Sequence, residues 1–391
     1  MSGAPAPQRK YEDRHLDFSL TEEQRLLRDS VSRFVADDYD FQALHARPAE
    51  NGLRADHWRK FAELGWLALT VPEEDGGLGG RLEDAALLFE EIGRGLVDAP
   101  LLATMLSATI IAQGAGFADR ASVLEAIMAG QRRIALALEE AGSRYDPTAV
   151  ATRAAINGSG DYRLQGRKVV VLDGASADAF LVSARIDEAD GRSGIAILFV
   201  PADADGLEIR RYRLIDGRHA ADLGFEDVHI PQGNLVVAPS QGSSVLREAV
   251  NRASILLAAE ALGAMEAAIE ITADYLRTRR QFRRPLSEFQ VLTHRLSNMF
   301  VTAENARSMV YRGLSAMNGP VEERDKAISA TMVAVIQAGE YVGGNAVQLH
   351  GGVGMAEENV IGHFYKRLRA IGKSYGDLHW HMSRYTRLLQ T

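Results

Sequence analysis

The chain of 391 residues contains no cysteine. That absence removes disulfides, thiolate catalysis and cysteine-bound zinc or iron–sulfur clusters, and it says nothing about compartment. Positive charge is also short: the net charge is −8, and a nucleic-acid role would need a basic stripe that this balance argues against. Long apolar runs are missing. Ile255 to Ala259 and Ala196 to Val200 are far too short to span a bilayer. The stretch from Met1 to Asp17 has no apolar core, and Glu12, Asp13 and Asp17 are wrong for a transit peptide. These absences lead to the expectation of a soluble, cytoplasmic protein without nucleic-acid or membrane partners. What is present, 46% hydrophobic and 25% charged residues, is ordinary globular composition. The length suggests about two to three domains.

The hydrophobic period changes twice along the chain. From Leu20 to about Gly130 it is helical. Thr21-Glu22-Glu23-Gln24 reads as a capping box, and Leu27, Val31, Phe34 and Val35 then fall on one face. Further helices are expected over 57–64, 82–93 and 122–129, with a glycine loop at Asp75 to Gly80. From Ile134 to about Pro231 the period is two. Strands are expected over 134–138, 168–172, 179–183, 194–201 and 223–230, and without intervening helices they predict an antiparallel sheet. From Ser244 the chain is helical again. Leu246, Val250, Ala253, Leu257, Ala261, Ala264 and Ala268 mark a long helix to about Arg279, whose alanine stripe predicts close packing in a bundle. Helices over 285–309 and 321–348, and a last one after Tyr375, complete the expectation. The domains are placed at 1–131, 132–238 and 239–391.

Five ordered motifs carry a family resemblance. They are Gly65 to Gly77, Ala137 to Asp146, Leu164-Gln165-Gly166-Arg167-Lys168, Arg279 to Gln290, and Gln348-Leu349-His350-Gly351-Gly352-Val353-Gly354. Together they resemble the acyl-CoA dehydrogenases over nearly the whole chain. The fold so implied is mainly α with a central antiparallel β domain: N-terminal helices, a middle β domain and a C-terminal four-helix bundle. Ser143-Arg144-Tyr145-Asp146 and Gly362 to Leu368 more narrowly resemble the small subunit of heteromeric pimeloyl-CoA-type dehydrogenases.

Alone, Arg279 to Arg284 would read as a solvated basic run at a helix end, and Gln348 to Gly352 as a helix cap and turn. The resemblance implies instead that both hold FAD. Arg279 would pair with its pyrophosphate, with Gln281, Phe282 and Gln290 beside it. Gln348, Leu349, His350, Gly351 and Gly352 would hold its adenine and ribose end, bound mainly to a neighbouring subunit. Arg283 departs from the usual glycine. On the ring side the departures are larger. Glu139 replaces a hydroxyl residue, and Val170 and Leu172 replace an aromatic and a hydroxyl residue, so neither stacking surface nor donors remain.

Desaturating a thioester needs a carboxylate facing the Cα–Cβ bond while the β-hydride leaves for the flavin. At the family's two glutamate positions this chain has Gly376 and Ala253, with Ser254 where a neighbouring arginine is usual. Asp377 and Glu260 are nearby carboxylates that read as structural, one capping or pairing, the other bridging helices. His379 and His381 lie on nearly opposite sides of a helix and do not chelate, whereas Asp377 and His381 share a face and are expected to pair. The catalytic residue is thus unassigned and no metal is expected. Three roles stay open: a non-base-bearing subunit working with a homologous large dehydrogenase chain, a self-associating homotetrameric enzyme with a displaced base, and a flavin-free acyl-CoA-binding paralogue. The resemblance implies an acyl-CoA thioester as substrate and an electron-transferring flavoprotein as partner.

Overall fold

The structure, a computed structural model, describes residues 19–41, 54–187 and 193–390. The acidic stretch from Met1 to Asp17 lies outside them. Thr21 and Gln24 form the reciprocal capping box at 3.1 and 3.2 Å, starting α1 (Glu22–Arg33). A π-helical turn, Phe34–Asp38, then presents Phe34 to Phe61 and Trp66, edge-on at 5.1 and 5.4 Å. Helices α2 (Ala55–Glu63), α3 (Leu82–Gly95) and α5 (Arg120–Met128) lie within a few residues of the expectation. Helix α4 (Leu101–Gln113) was not anticipated. Its sequence LLATMLSATIIAQ is apolar almost all round and buried on nearly every side, so it has no stripe to betray a helical period.

The sheet runs in the order β6-β7-β3-β2-β4-β5-β8, with β1 beside β4. Its strands are β1 (Ile134–Ala137), β2 (Arg153–Ile156), β3 (Tyr162–Leu172), β4 (Ala179–Asp187), β5 (Ser193–Pro201), β6 (Leu207–Arg213), β7 (His219–Ile230) and β8 (Leu235–Val237). The antiparallel expectation needs correcting at β4, which takes β1 and β2 as parallel neighbours. Between β2 and β4 the chain runs back along β3, antiparallel to β2, so that β2 and β4 point the same way. The short or half-exposed strands β2, β6 and β8 were not foreseen. Lys168 is fully buried, and its Nζ reaches Glu140 Oε1 (2.7 Å), Ser183 Oγ (2.8 Å) and the Leu138 carbonyl (3.2 Å). Glu140 also accepts the backbone N–H groups of Ala151 and Thr152. Two of the sequence motifs therefore meet in one satisfied ion pair that fixes the 140–152 loop against β3.

Helix α6 (Gly242–Thr278) is the spine of the second helical block. Its small residues do allow close packing. A Cβ at Gly263 would stand 1.7 Å from the Glu90 carbonyl oxygen, and one at Gly93 would stand 1.9 Å from that of Glu260. Helices α6 and α3 thus touch backbone to backbone, which only glycine permits. Helices α7 (Gln290–Ala316) and α8 (Val321–His350) follow. The fourth place in the bundle is shared by two shorter helices, α9 (Val360–Ile371) and α10 (Leu378–Leu388), both packed on α8. Helix α7 starts five residues later than expected, because Leu286–Glu288 forms a 3₁₀ turn first.

The three blocks meet at a buried charge cluster. Asp216 and Arg218, at the β6–β7 hairpin tip, pair at 2.6 Å. Arg367 of α9 reaches Asp216 (3.0 Å), Glu260 of α6 (2.7 Å) and the Val97 carbonyl after α3 (3.4 Å). Glu260 does bridge helices, as its sequence position suggested. Removing one member of such a cluster leaves uncompensated buried charge, so Glu260→Ala should lower stability by about 3–5 kcal/mol in a urea titration. A loss below about 1 kcal/mol would mean that water already screens the cluster.

Two more carboxyls face this junction. Burial, only partly offset by Arg218, pushes Asp173 up to about 7. Burial, offset by Arg367 and Arg218, pushes Asp98 up to about 6. Both hold protons in the fold where the unfolded chain has released them. Their contribution is complete below about pH 4 and is lost as pH rises through about 6 and 7. Asp173→Asn should therefore become more stable relative to the parent chain between pH 5 and pH 8, by about 1 kcal/mol or more. A pH-independent difference would refute this.

Candidate functional site

Beyond Thr278 the chain turns into a two-residue hairpin, Arg280–Gln281 against Arg284–Pro285. Its turn residues Phe282 and Arg283 both have positive φ, 50° and 68°, the geometry that two-residue hairpins require and glycine normally supplies. Arg283 is held there as its carbonyl accepts from Arg280 Nη2 at 3.2 Å. Phe282 is 85% exposed and lies edge-on to Phe289, over which Arg284 stacks at 3.9 Å. Arg279, Gln281 and Gln290 are exposed, and Arg279 makes no ion pair among the described residues.

The second motif sits at the same end of the bundle. His350 stacks on Tyr275 at 4.3 Å, and the Tyr275 hydroxyl donates to the His350 carbonyl at 3.4 Å. Because Tyr275 precedes Arg279 by about one helical turn, this contact ties the two motifs together. Gln348, Gly351 and Gly352 face outward, and nothing lies within 4 Å of where a Cβ on either glycine would be. Backbone there is open to close approach. Leu349 and His350 are buried beneath it, with desolvation holding His350 below the usual imidazole range. The outward residues offer a guanidinium, amides and bare backbone, which suits a diphosphate and a nucleoside.

The ring-side positions converge on a separate cavity of about 310 Å³. Leu136, Leu138, Val170 and Leu172 line it with Glu139, Tyr145 and Tyr375. Two backbone donors of this wall are already engaged: Val169 N–H bonds the Glu139 carbonyl at 2.8 Å, and Val170 N–H bonds Asp222 at 3.0 Å. Val170 holds φ at 50°, costly for a β-branched residue, beside a β-bulge in the β3–β7 pairing. Burial raises the Glu139 carboxyl, which accepts from Ser143 Oγ at 2.8 Å. On the β3 side the wall therefore gives a flavin ring neither an aromatic surface nor the Val169 and Val170 N–H groups as donors.

Neither glutamate position leaves room for a base. Gly376 has φ of 132°, and a Cβ there would meet Trp380 at 2.5 Å and His381 Nε2 at 2.6 Å. Ala253 is fully buried inside α6, and Ser254 Oγ donates to the Val250 carbonyl. Asp377 caps α10 by accepting from Trp380 N–H at 3.0 Å and pairs with Lys373 at 3.3 Å. The expected side-chain pair between Asp377 and His381 does not form. Instead His381 is fully buried with both ring nitrogens unbonded, and burial with Arg384 nearby drives it down to about 3. His379 is exposed, and no cluster among the described residues could hold a metal.

Sequence reading missed one feature. Arg144, Arg247, Arg384 and Arg387 line a cleft of about 390 Å³ with Asp146 and Asp325. Arg384 pairs with Asp325 at 2.7 Å and donates to Asn251 at 3.1 Å. Burial lowers its pKa, and Arg247 and Arg387 add to that, the mark of locally surplus positive charge. Only the Arg384/Arg387 spacing on one helix hinted at it.

Consecutive stretches of the chain match three family descriptions: acyl-CoA dehydrogenase N-terminal domain over residues 21–131, middle domain over 135–228 and C-terminal domain over 240–379. The probable acyl-CoA dehydrogenase YngJ of Bacillus subtilis (strain 168) is 29% identical, over 88% of this chain and 91% of its own. The structure of the Tcur3481–Tcur3483 steroid ACAD superposes with a TM-score of 0.83 at 30% identity, covering 94% of this chain and 98% of that one. A structure of the electron transferring flavoprotein of Acidaminococcus fermentans study superposes with a TM-score of 0.86 at 26% identity, covering 96% and 99%. Every block of the fold is thus accounted for by one ancestry, and the chain belongs to the acyl-CoA dehydrogenase family of FAD-dependent acyl-CoA oxidoreductases.

Proposed function

We propose that this chain is the non-base-bearing subunit of a heteromeric acyl-CoA dehydrogenase, cytoplasmic and coupled to an electron-transferring flavoprotein. A homologous large chain supplies the glutamate and the flavin-ring pocket. This chain supplies Arg279, Gln281, Phe282, Gln290, Gln348, Gly351 and Gly352 to the diphosphate and adenosine end of FAD across the interface, with Leu349 and His350 bracing the loop from below. FAD, when bound, takes up the hydride that leaves the β-carbon of the acyl-CoA thioester. Arg279 neutralises diphosphate charge, the exposed amides orient the nucleoside, and the Tyr275–His350 stack keeps the two loops in register. One observation carries the reading: an open, outward-facing clamp coexists with a base position at Gly376 that its own neighbours fill. The two-component name of the steroid ACAD relative supports it.

A second reading has its own observation. The arginine-lined cleft complements the phosphates of coenzyme A without any flavin, as an acyl-CoA-binding paralogue would require. A self-sufficient enzyme using Asp377 fares worse, because that carboxylate already caps α10 and pairs with Lys373.

Purified alone, the chain should carry little FAD, measured by flavin absorbance after denaturation. Co-expression with a homologous base-bearing chain should restore close to one flavin per pair. Full flavin loading of the isolated chain, together with acyl-CoA oxidation, would end the heteromer proposal, and absence of flavin in both preparations would favour the paralogue. In the heteromer, Asp377→Asn should leave turnover within about twofold, since asparagine caps a helix nearly as well as aspartate. A collapse of turnover with flavin retained would make Asp377 the base instead.

A further inference from the structure

The arginine-lined cleft keeps binding capacity after its internal contacts are made. Both of its carboxylates are committed within the chain. Asp146 accepts from the Thr148 backbone N–H at 2.9 Å and from the Thr148 hydroxyl at 2.7 Å. Asp325 accepts from Arg384 at 2.7 Å and from Asn251 Nδ2 at 2.6 Å. Arg384 is buried, and it is further fixed by Asn251 Oδ1 and by the Trp380 ring, 5.3 Å from its guanidinium carbon. Arg144, Arg247 and Arg387 are exposed instead, and none of them makes an ion pair among the described residues. Four arginines against two aspartates leave the cleft a surplus of two positive charges. The turn that carries Arg144 is also unusual. Asp146 N–H bonds the Ser143 carbonyl at 2.9 Å across Arg144 and Tyr145, which hold φ at 48° and 67°. Turns with that pattern favour Gly, Asn or Asp at both central places. The count of free groups selects the ligand. A carboxylate brings one charge and two oxygens, whereas a phosphomonoester near neutral pH brings about −1.5 to −2 and three terminal oxygens. Guanidinium forks match such oxygens in bidentate fashion. The volume of about 390 Å³ exceeds what a phosphate alone fills, and it lies in the range of small-molecule pockets. Pro147, Val250 and Trp380 give the remaining wall apolar surface for the carbon skeleton of the ester.

We propose that this cleft binds a phosphomonoester, its terminal phosphate held by Arg144, Arg247 and Arg387 with the fixed Arg384 beside them. The site goes beyond the choice between heteromer and paralogue, since it needs neither flavin nor a partner chain. Two sources share the chemistry: the 3′-phosphate of coenzyme A and a free mononucleotide.

The test is calorimetric titration of the full chain with coenzyme A, dephospho-coenzyme A and AMP. Saturable binding of one phosphomonoester per chain is expected. AMP binding as tightly as coenzyme A assigns the site to a free mononucleotide. Binding of coenzyme A that falls about tenfold or more in dephospho-coenzyme A, with AMP weak, assigns it to the 3′-phosphate. Succinate, with two charges but no phosphate, should bind about tenfold or more weakly than the better phosphomonoester. Arg247→Gln and Arg387→Gln should each weaken that ligand by about tenfold or more, since each removes a charge-assisted contact. Arg312→Gln, on the exposed face of α7 outside the cleft, should stay within about twofold. A thermal melt checks that each variant is folded. No saturable binding, succinate as tight as the phosphomonoester, or equal losses in Arg312→Gln would each overturn the proposal. So would coenzyme A and dephospho-coenzyme A binding equally while AMP does not bind. Because the ligands are titrated into this chain alone, failure to assemble with a homologous chain would leave the result unaffected.

Discussion

Four side chains at one point hold the three blocks of this protein in register: Asp216, Arg218, Glu260 and Arg367. Arg367 alone touches the sheet's hairpin tip, the spine helix α6 and the carbonyl of Val97 after α3. Each charge has left water, so the cluster's net gain over an apolar junction is small, and its value lies in orientation. Salt-bridge geometry accepts one arrangement, whereas an apolar contact can slide. The backbone contact of Gly93 and Gly263 works alongside the cluster, fixing the distance between α3 and α6.

Much of the architecture was written locally, and so could be read. The Thr21–Gln24 box, the strands of β4 and β5 and the alanine stripe of α6 each depend on residues within one element. Helix α4 was invisible because it is buried on nearly all sides and so lost its period. Strands β2, β6 and β8 were invisible because they are short or lie at an edge, where the partner strand rather than the sequence decides. Sites divided in the same way. The proposed clamp is two contiguous motifs, each given its meaning by the resemblance. The arginine cleft draws on positions 144, 247, 384 and 387, which only the fold brings together. Likewise, that Asp377 and His381 share a helical face was legible, but not that the carboxylate would turn to the helix terminus instead.

In the proposed reading, position 376 lacks more than a carboxylate side chain. Gly376 holds a backbone conformation that other residues rarely take, and Trp380 and His381 occupy the volume a longer residue would need. His381 reaches this place at a cost, since both ring nitrogens are buried without partners. Such a group persists where the surrounding packing determines its position. Val170 and Leu172 lie on the cavity wall beside it and make that wall aliphatic, while Glu139 adds a carboxylate. In the proposed reading both sides of the site depart from what a self-sufficient enzyme needs.

In the same reading the outward-facing hairpin of Arg279 to Arg284 is the feature in need of a cause. Arg279, Arg280, Arg283 and Arg284 crowd one exposed tip, and Arg283 sits in the left-handed region, at a cost of roughly 1–2 kcal/mol that glycine would avoid. Like charges so close repel one another, and in water nothing compensates Arg279. An anion bound between them removes the repulsion and makes the strained turn useful, because it aims backbone and guanidinium at the same point. A chain that had lost flavin altogether would gain stability by relaxing this turn. In the heteromer reading the cost is instead met at the interface, where the diphosphate of a cofactor seated mainly in the neighbouring subunit reaches the tip.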